Sequence, residues 1–220
     1  MQPNKLKMVL VLALVATASA GLIVWRKSAS LPIDSKSSAA VGEVLADEIT
    51  RLLGEGGQVV LIARDQDKNA PGAGSERVAA FRAALSRRKS PQLAAVVEWL
   101  PRPPRSEMAK LGMTGQSLTE PQLLALVERH PEARAFVILG GAPSHSPAGT
   151  QKIRNHSLKF VVVSGYSQTL RQLLQARVVA LAVVPRFADL PPGTPAPQTA
   201  KDWFAREFEI LTPETVGLAP

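Results

Sequence analysis

Cysteine is absent from the 220 residues. That excludes a disulfide framework, a thiolate zinc site and lipid attachment at an N-terminal cysteine, while the redox compartment stays open. Aromatic residues make up only 5% of the chain, with a single tyrosine, Tyr166. Nucleic-acid binding usually combines a concentrated basic face with stacking aromatics, so their scarcity argues against such a partner. The formal charge of +8 does not change this reading. Residues 1–37 hold five cations (Lys5, Lys7, Arg26, Lys27, Lys36) and one anion, Asp34, which leaves 21 cations against 17 anions elsewhere. Half of the basic excess therefore sits in or beside an apolar segment, where anionic headgroups favour it. The three histidines, His130, His145 and His156, show no i, i+4 metal pair and read as surface residues. No metal site, cofactor motif or internal repeat is evident.

Two glycine or serine motifs are incomplete. Gly72-Ala73-Gly74-Ser75-Glu76-Arg77 begins like a dinucleotide fingerprint but ends in arginine. It also lies about nine residues past the nearest strand, where the fingerprint needs a tight turn. Ser75 as a helix N-cap explains it better. Ser164-Gly165-Tyr166-Ser167 lacks the frame of a nucleophile elbow, and Ser167 reads as the cap of the next helix.

One long uncharged run is present. Residues 8–25, MVLVLALVATASAGLIVW, lie between Lys5/Lys7 and Arg26/Lys27, with Trp25 at an interfacial position. Eighteen residues meet the lower limit for a spanning helix. Ala18-Ser19-Ala20 has the small-x-small pattern of a signal-peptide cleavage site, but the apolar run continues beyond it to Trp25. Residues 1–27 are therefore read as an N-terminal anchor, with a signal segment cleaved near Ala20 as the alternative. Residues 28–40, rich in Ser and Ala, read as a tether, and residues 41–220 as the folded domain. The expected location is a single-pass cell-membrane protein with its domain outside the cytoplasm, or a secreted or periplasmic domain if cleavage occurs.

Within the domain, Val41, Val44, Leu45, Ile49, Leu52 and Leu53 follow helical spacing until Gly54. Apolar runs at residues 59–63, 96–100, 135–139, 160–163 and 178–184 read as strands buried on both faces. Helical patterns lie between most of them: Val78, Phe81 and Leu85; Leu123, Leu126 and Val127 after Thr119-Glu120-Pro121; Leu170, Leu173 and Leu174. Residues 142–157 read as a polar loop. Trp203, Phe204 and Phe208 read as one face of a last helix covering the core. This alternation predicts an α/β fold, a doubly wound, mostly parallel five-stranded sheet with helices on both faces, preceded by one transmembrane helix.

Two stretches carry a resemblance. Residues 158–186, LKFVVVSGYSQTLRQLLQARVVALAVVPR, form a strand-helix-strand pattern similar to the late β-α-β unit of the type 1 periplasmic substrate-binding proteins of sugar transporters. Residues 200–216, AKDWFAREFEILTPETV, resemble the C-terminal tail of many of them. Together they cover 46 residues. The resemblance implies a periplasmic-binding-protein-like lobe and marks Ser164, Gly165 and Tyr166 as lying where a ligand-facing loop would be. Ser164 stands where that family commonly places an acidic residue.

In an open parallel sheet, ligands sit beyond the carboxyl ends of the strands. The residues there are Arg64, Asp65 and Asp67 after the first strand, Gly140 and Gly141 after the third, and Ser164, Gly165 and Tyr166 after the fourth. They are the candidate ligand-binding set, and no catalytic set is assigned. The reading that follows is a non-catalytic, membrane-anchored binding or interaction domain, its partner a small polar ligand or an envelope protein. The competing reading is an envelope hydrolase or phosphatase-like enzyme using Asp65, Asp67 and Ser164, since two strand-end carboxylates are able to hold Mg²⁺.

Overall fold

The computed structural model describes residues 35–54, 56–64, 73–88, 93–100, 118–144, 146–155, 158–186 and 196–217. They fall in one compact unit, Asp34–Pro220, distinct from Met1–Ile33. Helix α1 (Ser35–Leu53) buries Val41, Val44, Leu45, Ile49 and Leu53. Gly54 ends it in the left-handed region at φ 63°, and its amide donates to the Thr50 carbonyl at 3.0 Å. Glycine takes that conformation without a Cβ clash. The helix begins inside the stretch that composition assigns to a tether. Ser37, Ser38 and Ala40 are buried in it. They are small rather than apolar, so their burial comes from close approach of another helix and leaves no hydrophobic periodicity to read.

The chain continues as β1 (Gly57–Arg64), α2 (Ala73–Arg87), β2 (Leu93–Leu100), α3 (Glu120–Arg129), β3 (Ala133–Ile138), α4 (Pro147–Asn155), β4 (Lys159–Val163), α5 (Gln168–Gln175), β5 (Val179–Pro185), α6 (Ala200–Glu207) and β6 (Phe208–Leu211). The six strands form one sheet in the order β2-β1-β3-β4-β5-β6. Strands β1 to β5 pair in parallel, and β6 pairs with β5 antiparallel, Phe208 opposite Pro185 and Leu211 opposite Ala182. The parallel, doubly wound core matches the expected α/β architecture. The sixth strand is a correction: Phe204 and Phe208 are four apart and satisfy a helical period, but the chain turns extended at Phe208 to pair with β5.

Alternation along the strands feeds two apolar layers. Val59, Leu61, Val137, Val161 and Val183 point toward α1, α2 and α6. Val60, Ile62, Phe136, Phe160 and Val184 point toward α3, α4 and α5. Phe136 and Phe160 stack at 5.6 Å in the second layer. Full burial of each such side chain contributes about 1.5–3 kcal/mol against exposure, which explains why strands β1, β3, β4 and β5 read as unbroken apolar runs. Among the described residues no helix is long and apolar enough to cross a membrane. The expected anchor at residues 8–25 lies outside the described residues.

Candidate functional site

Parallel pairing puts the carboxyl ends of β1 to β5 on one edge of the sheet. From β1 the chain passes to β2 on one side and then to β3 on the other, so the strand order switches beside β1 and β3. That is the position where open α/β sheets form a crevice for ligands. Main-chain bonds close the edge into a continuous surface. The Leu139 amide donates to the Ile62 carbonyl at 3.0 Å, Gly141 to Val163 at 3.2 Å, and Ser164 to Val183 at 3.0 Å. Gly140, Gly141 and Ser164 are thereby neighbours although far apart in sequence. Gly141 turns at φ 99°, where a side chain would be strained.

The candidate residues differ in what they offer. Arg64 is the last residue of β1, opposite Leu100, and is 7% exposed. It is therefore a buried cation at the end of an interior strand, not part of an open loop. Ser164 is half-buried, and Gly165 is exposed with nothing within 4 Å of a built Cβ. Tyr166 packs against the second apolar layer, with the Arg171 guanidinium 5.5 Å from its ring centre. Its hydroxyl is buried without a hydrogen-bond partner. Tyr166 thus leans toward α5. Ser167 accepts from the Leu170 amide at 3.2 Å and caps α5 as its sequence position predicts. Asp65 and Asp67, the carboxylates of the enzymatic reading, lie outside the described residues.

The loop after β3 is braced by a residue that sequence reasoning passed over. The Glu120 carboxylate receives the Ser146 amide at 2.5 Å and the Ser146 hydroxyl at 3.1 Å. Ser146 Oγ in turn accepts from the Gly149 amide at 3.0 Å, closing the first turn of α4. The Ser144 amide donates to the Leu118 carbonyl at 2.9 Å. The start of α3 therefore holds the segment that follows Gly140 and Gly141. No local pattern marks Glu120 for this, because its partner is 26 residues away. Helix α4 was itself expected to be loop. Its sequence, PAGTQKIRN, offers the core only Ile153 among its described side chains, too little for a periodic signal.

His130 corrects a second expectation. Its side chain is 12% exposed, and Nε2 lies 2.6 Å from Glu98 Oε1. Arg129 Nη1 reaches the other Glu98 oxygen at 3.2 Å. The ring also meets Phe136 edge-on at 6.5 Å. The group fastens the edge strand β2 to the end of α3 and is not a surface histidine. Among the described residues no cluster of three or more His, Asp or Glu is arranged to hold a metal ion. A hollow of about 240 Å³ lies between α1, α2 and α6, on the helical layer and away from the strand ends. Its acidic residues are internally paired, Glu43 with Arg87 and Asp47 with Arg88.

No family model matches the sequence, and no curated protein matches it. Solved structures do match the fold. The arabinose-binding protein AraP from Geobacillus stearothermophilus superposes with a TM-score of 0.52 at 13% identity, over 82% of this chain and 62% of that one. A sugar-binding protein of a sugar ABC transporter from Bacillus halodurans gives 0.52 at 13% identity, over 82% and 64%. A chain of the XylFII–LytSN complex gives 0.50 at 10% identity, over 80% and 60%. The chain spans less than two thirds of the length of each of these structures. At these identities the likeness is one of fold alone: the described residues share an α/β architecture with these structures.

Proposed function

We propose that this chain is a membrane-anchored, extracytoplasmic binding domain that acts without catalysis and takes a small polar ligand at the carboxyl edge of its sheet. The observation that carries the reading is the strand switch beside β1 and β3, which gathers Arg64, Gly140, Gly141, Ser164 and Gly165 on that edge. Fold neighbours named for binding arabinose and sugar make a monosaccharide the first class to test. The anchoring half of the reading rests on the uncharged run at residues 8–25 and its basic flanks.

The test is a thermal-shift screen of the full-length protein in detergent against monosaccharides, arabinose first. A ligand at 100 times its Kd adds about 2.7 kcal/mol to apparent stability, which raises Tm by several degrees in a domain of this size. Gly165→Trp should leave the ligand-free Tm unchanged, because the position is open, and should abolish the shift. No shift with any sugar, or a full shift in G165W, contradicts the reading.

A protein occupant of the same edge is the second reading. Arg64 is buried and Tyr166 is turned toward α5, so the described edge offers mainly exposed main chain around Gly165, which suits a partner's surface. A photo-cross-linker at position 165 that captures a defined envelope protein, with the same group at Lys159 failing to do so, supports it.

A further inference from the structure

We propose that the hollow between α1, α2 and α6 is a second binding site, separate from the sheet edge, and that it takes a free short-chain monocarboxylate. Its volume of about 240 Å³ lies below the roughly 300–1,000 Å³ of pockets that enclose drug-sized ligands, so the occupant is small. The apolar part of the lining is built of short side chains. Val44 and Ala84 are buried, and Ala200 is half-buried. They give a hydrocarbon chain of a few carbons a surface to cover.

Charge fixes the ligand class. Helix α1 lends Glu43 and Asp47 to the lining, α2 lends Arg87 and Arg88, and α6 lends Lys201. Three cations against two anions leave the hollow one positive charge in excess, which a single anion balances. Arg87 pairs with Glu43 and Arg88 with Asp47. Lys201 is exposed and enters no ion pair among the described residues. The Arg87–Glu43 contact, at 3.2 Å with side chains 64% and 39% exposed, is of a kind that contributes about 0–1 kcal/mol. Arg87 therefore turns from Glu43 to a ligand at small cost, and its planar fork matches a carboxylate. The two acidic side chains in the same lining repel a second negative charge, which disfavours a phosphate dianion. A neutral sugar leaves the excess charge unbalanced and the apolar lining unused. A monocarboxylate uses both, with its head between Arg87 and Lys201 and its chain on Val44, Ala84 and Ala200.

The test is saturation-transfer NMR of butyrate on the full-length protein in non-ionic detergent, with butyramide as the uncharged control. Butyrate should bind saturably and butyramide should not. Lys201→Glu reverses the excess charge and should weaken butyrate by about tenfold or more. It should also leave Tm unchanged, because an exposed acid in the first turn of a helix is well tolerated. Arg87→Gln, at an exposed position, removes the excess by a second route and should weaken binding too. Glu43→Gln frees Arg87 and should tighten butyrate by up to about fivefold, a gain that a merely structural role for these residues does not give. Gly165→Trp should bind butyrate as the parent does, which separates the hollow from the sheet edge. No saturable signal, equal binding of butyramide, parental affinity in both K201E and R87Q, or loss of binding in G165W overturns the proposal.

Discussion

The Thr199 amide, then the Thr199 hydroxyl and the Gln198 amide, hold the Asp202 carboxyl below the ordinary carboxylate value of 3.8. The Thr199 amide lies 2.9 Å from Asp202 Oδ2, and Thr199 Oγ1 accepts from the Asp202 amide at 3.2 Å. A carboxylate with a lowered folded pKa stabilises the fold above its unfolded value, and the gain is lost as pH falls through the folded value. Asp202→Asn should therefore lower stability at pH 7, and the difference from the parent should shrink as pH falls below the ordinary carboxylate value through the lower folded one; denaturant midpoints across that range check the sign. Two glycines make a sharper contrast. A Cβ at Gly42 would lie 2.4 Å from the Arg77 carbonyl oxygen and 2.9 Å from the Phe81 amide, both main chain of α2. A Cβ at Gly149 would lie 2.1 Å from Glu120 Cδ, at the end of a side chain. Gly42→Ala must push two helices apart and should cost about 2–3 kcal/mol. Gly149→Ala displaces a carboxylate from Ser146 and should cost about 1–2 kcal/mol. Urea melts of both variants test the order. Neither glycine is legible in sequence as a close-packing position, because the atoms it accommodates belong to a different element.

Elements were legible where burial imposed a period. The runs at β1, β3, β4 and β5 are apolar because both faces of these strands are covered, and the leucines of α5 repeat on its buried side. Where an element contributes little to the core, the pattern fades. Helix α4 buries Ile153, the serine-rich start of α1 is buried by proximity, and β6 is only four residues long. Helix α2 begins at Ala73, so Ser75 lies inside it and does not cap it. The edge strand β2 has residues 95–100 half-buried, and its charge, Glu98, is spent on His130 and Arg129. Loss of that pair should free the strand more than it weakens the whole fold. His130→Ala should lower global stability by about 1–3 kcal/mol and raise amide exchange in β2 before it does so in β3 or β4. Uniform acceleration across the sheet would show that the pair acts on the entire domain.

At the scale of the molecule, the parallel topology follows from the alternation of strands and helices, and with it the gathering of Gly140, Gly141 and Ser164 on one edge. What that edge presents was not legible. Sequence order places Arg64 and Tyr166 there, yet tertiary packing buries the first and turns the second toward α5. The limit of the domain was read only approximately: the compact unit starts at Asp34, ahead of the expected boundary at residue 41. Residues 34–220 should therefore unfold in a single cooperative urea transition without the N-terminal segment, and a broad transition would count against a self-sufficient core. The central claim, that the carboxyl edge is the binding surface, is tested most directly by amide-resolved NMR on that fragment titrated with arabinose, or with whichever monosaccharide gives the largest thermal shift. Saturable shifts should concentrate at Leu139, Gly140, Gly141, Ser164, Gly165 and Tyr166 and spare Gly57, Arg134 and Lys159 at the other edge. Saturable shifts confined to the amino edge, or to Asp47, Ala84 and Lys201 in the hollow between α1, α2 and α6, would contradict it.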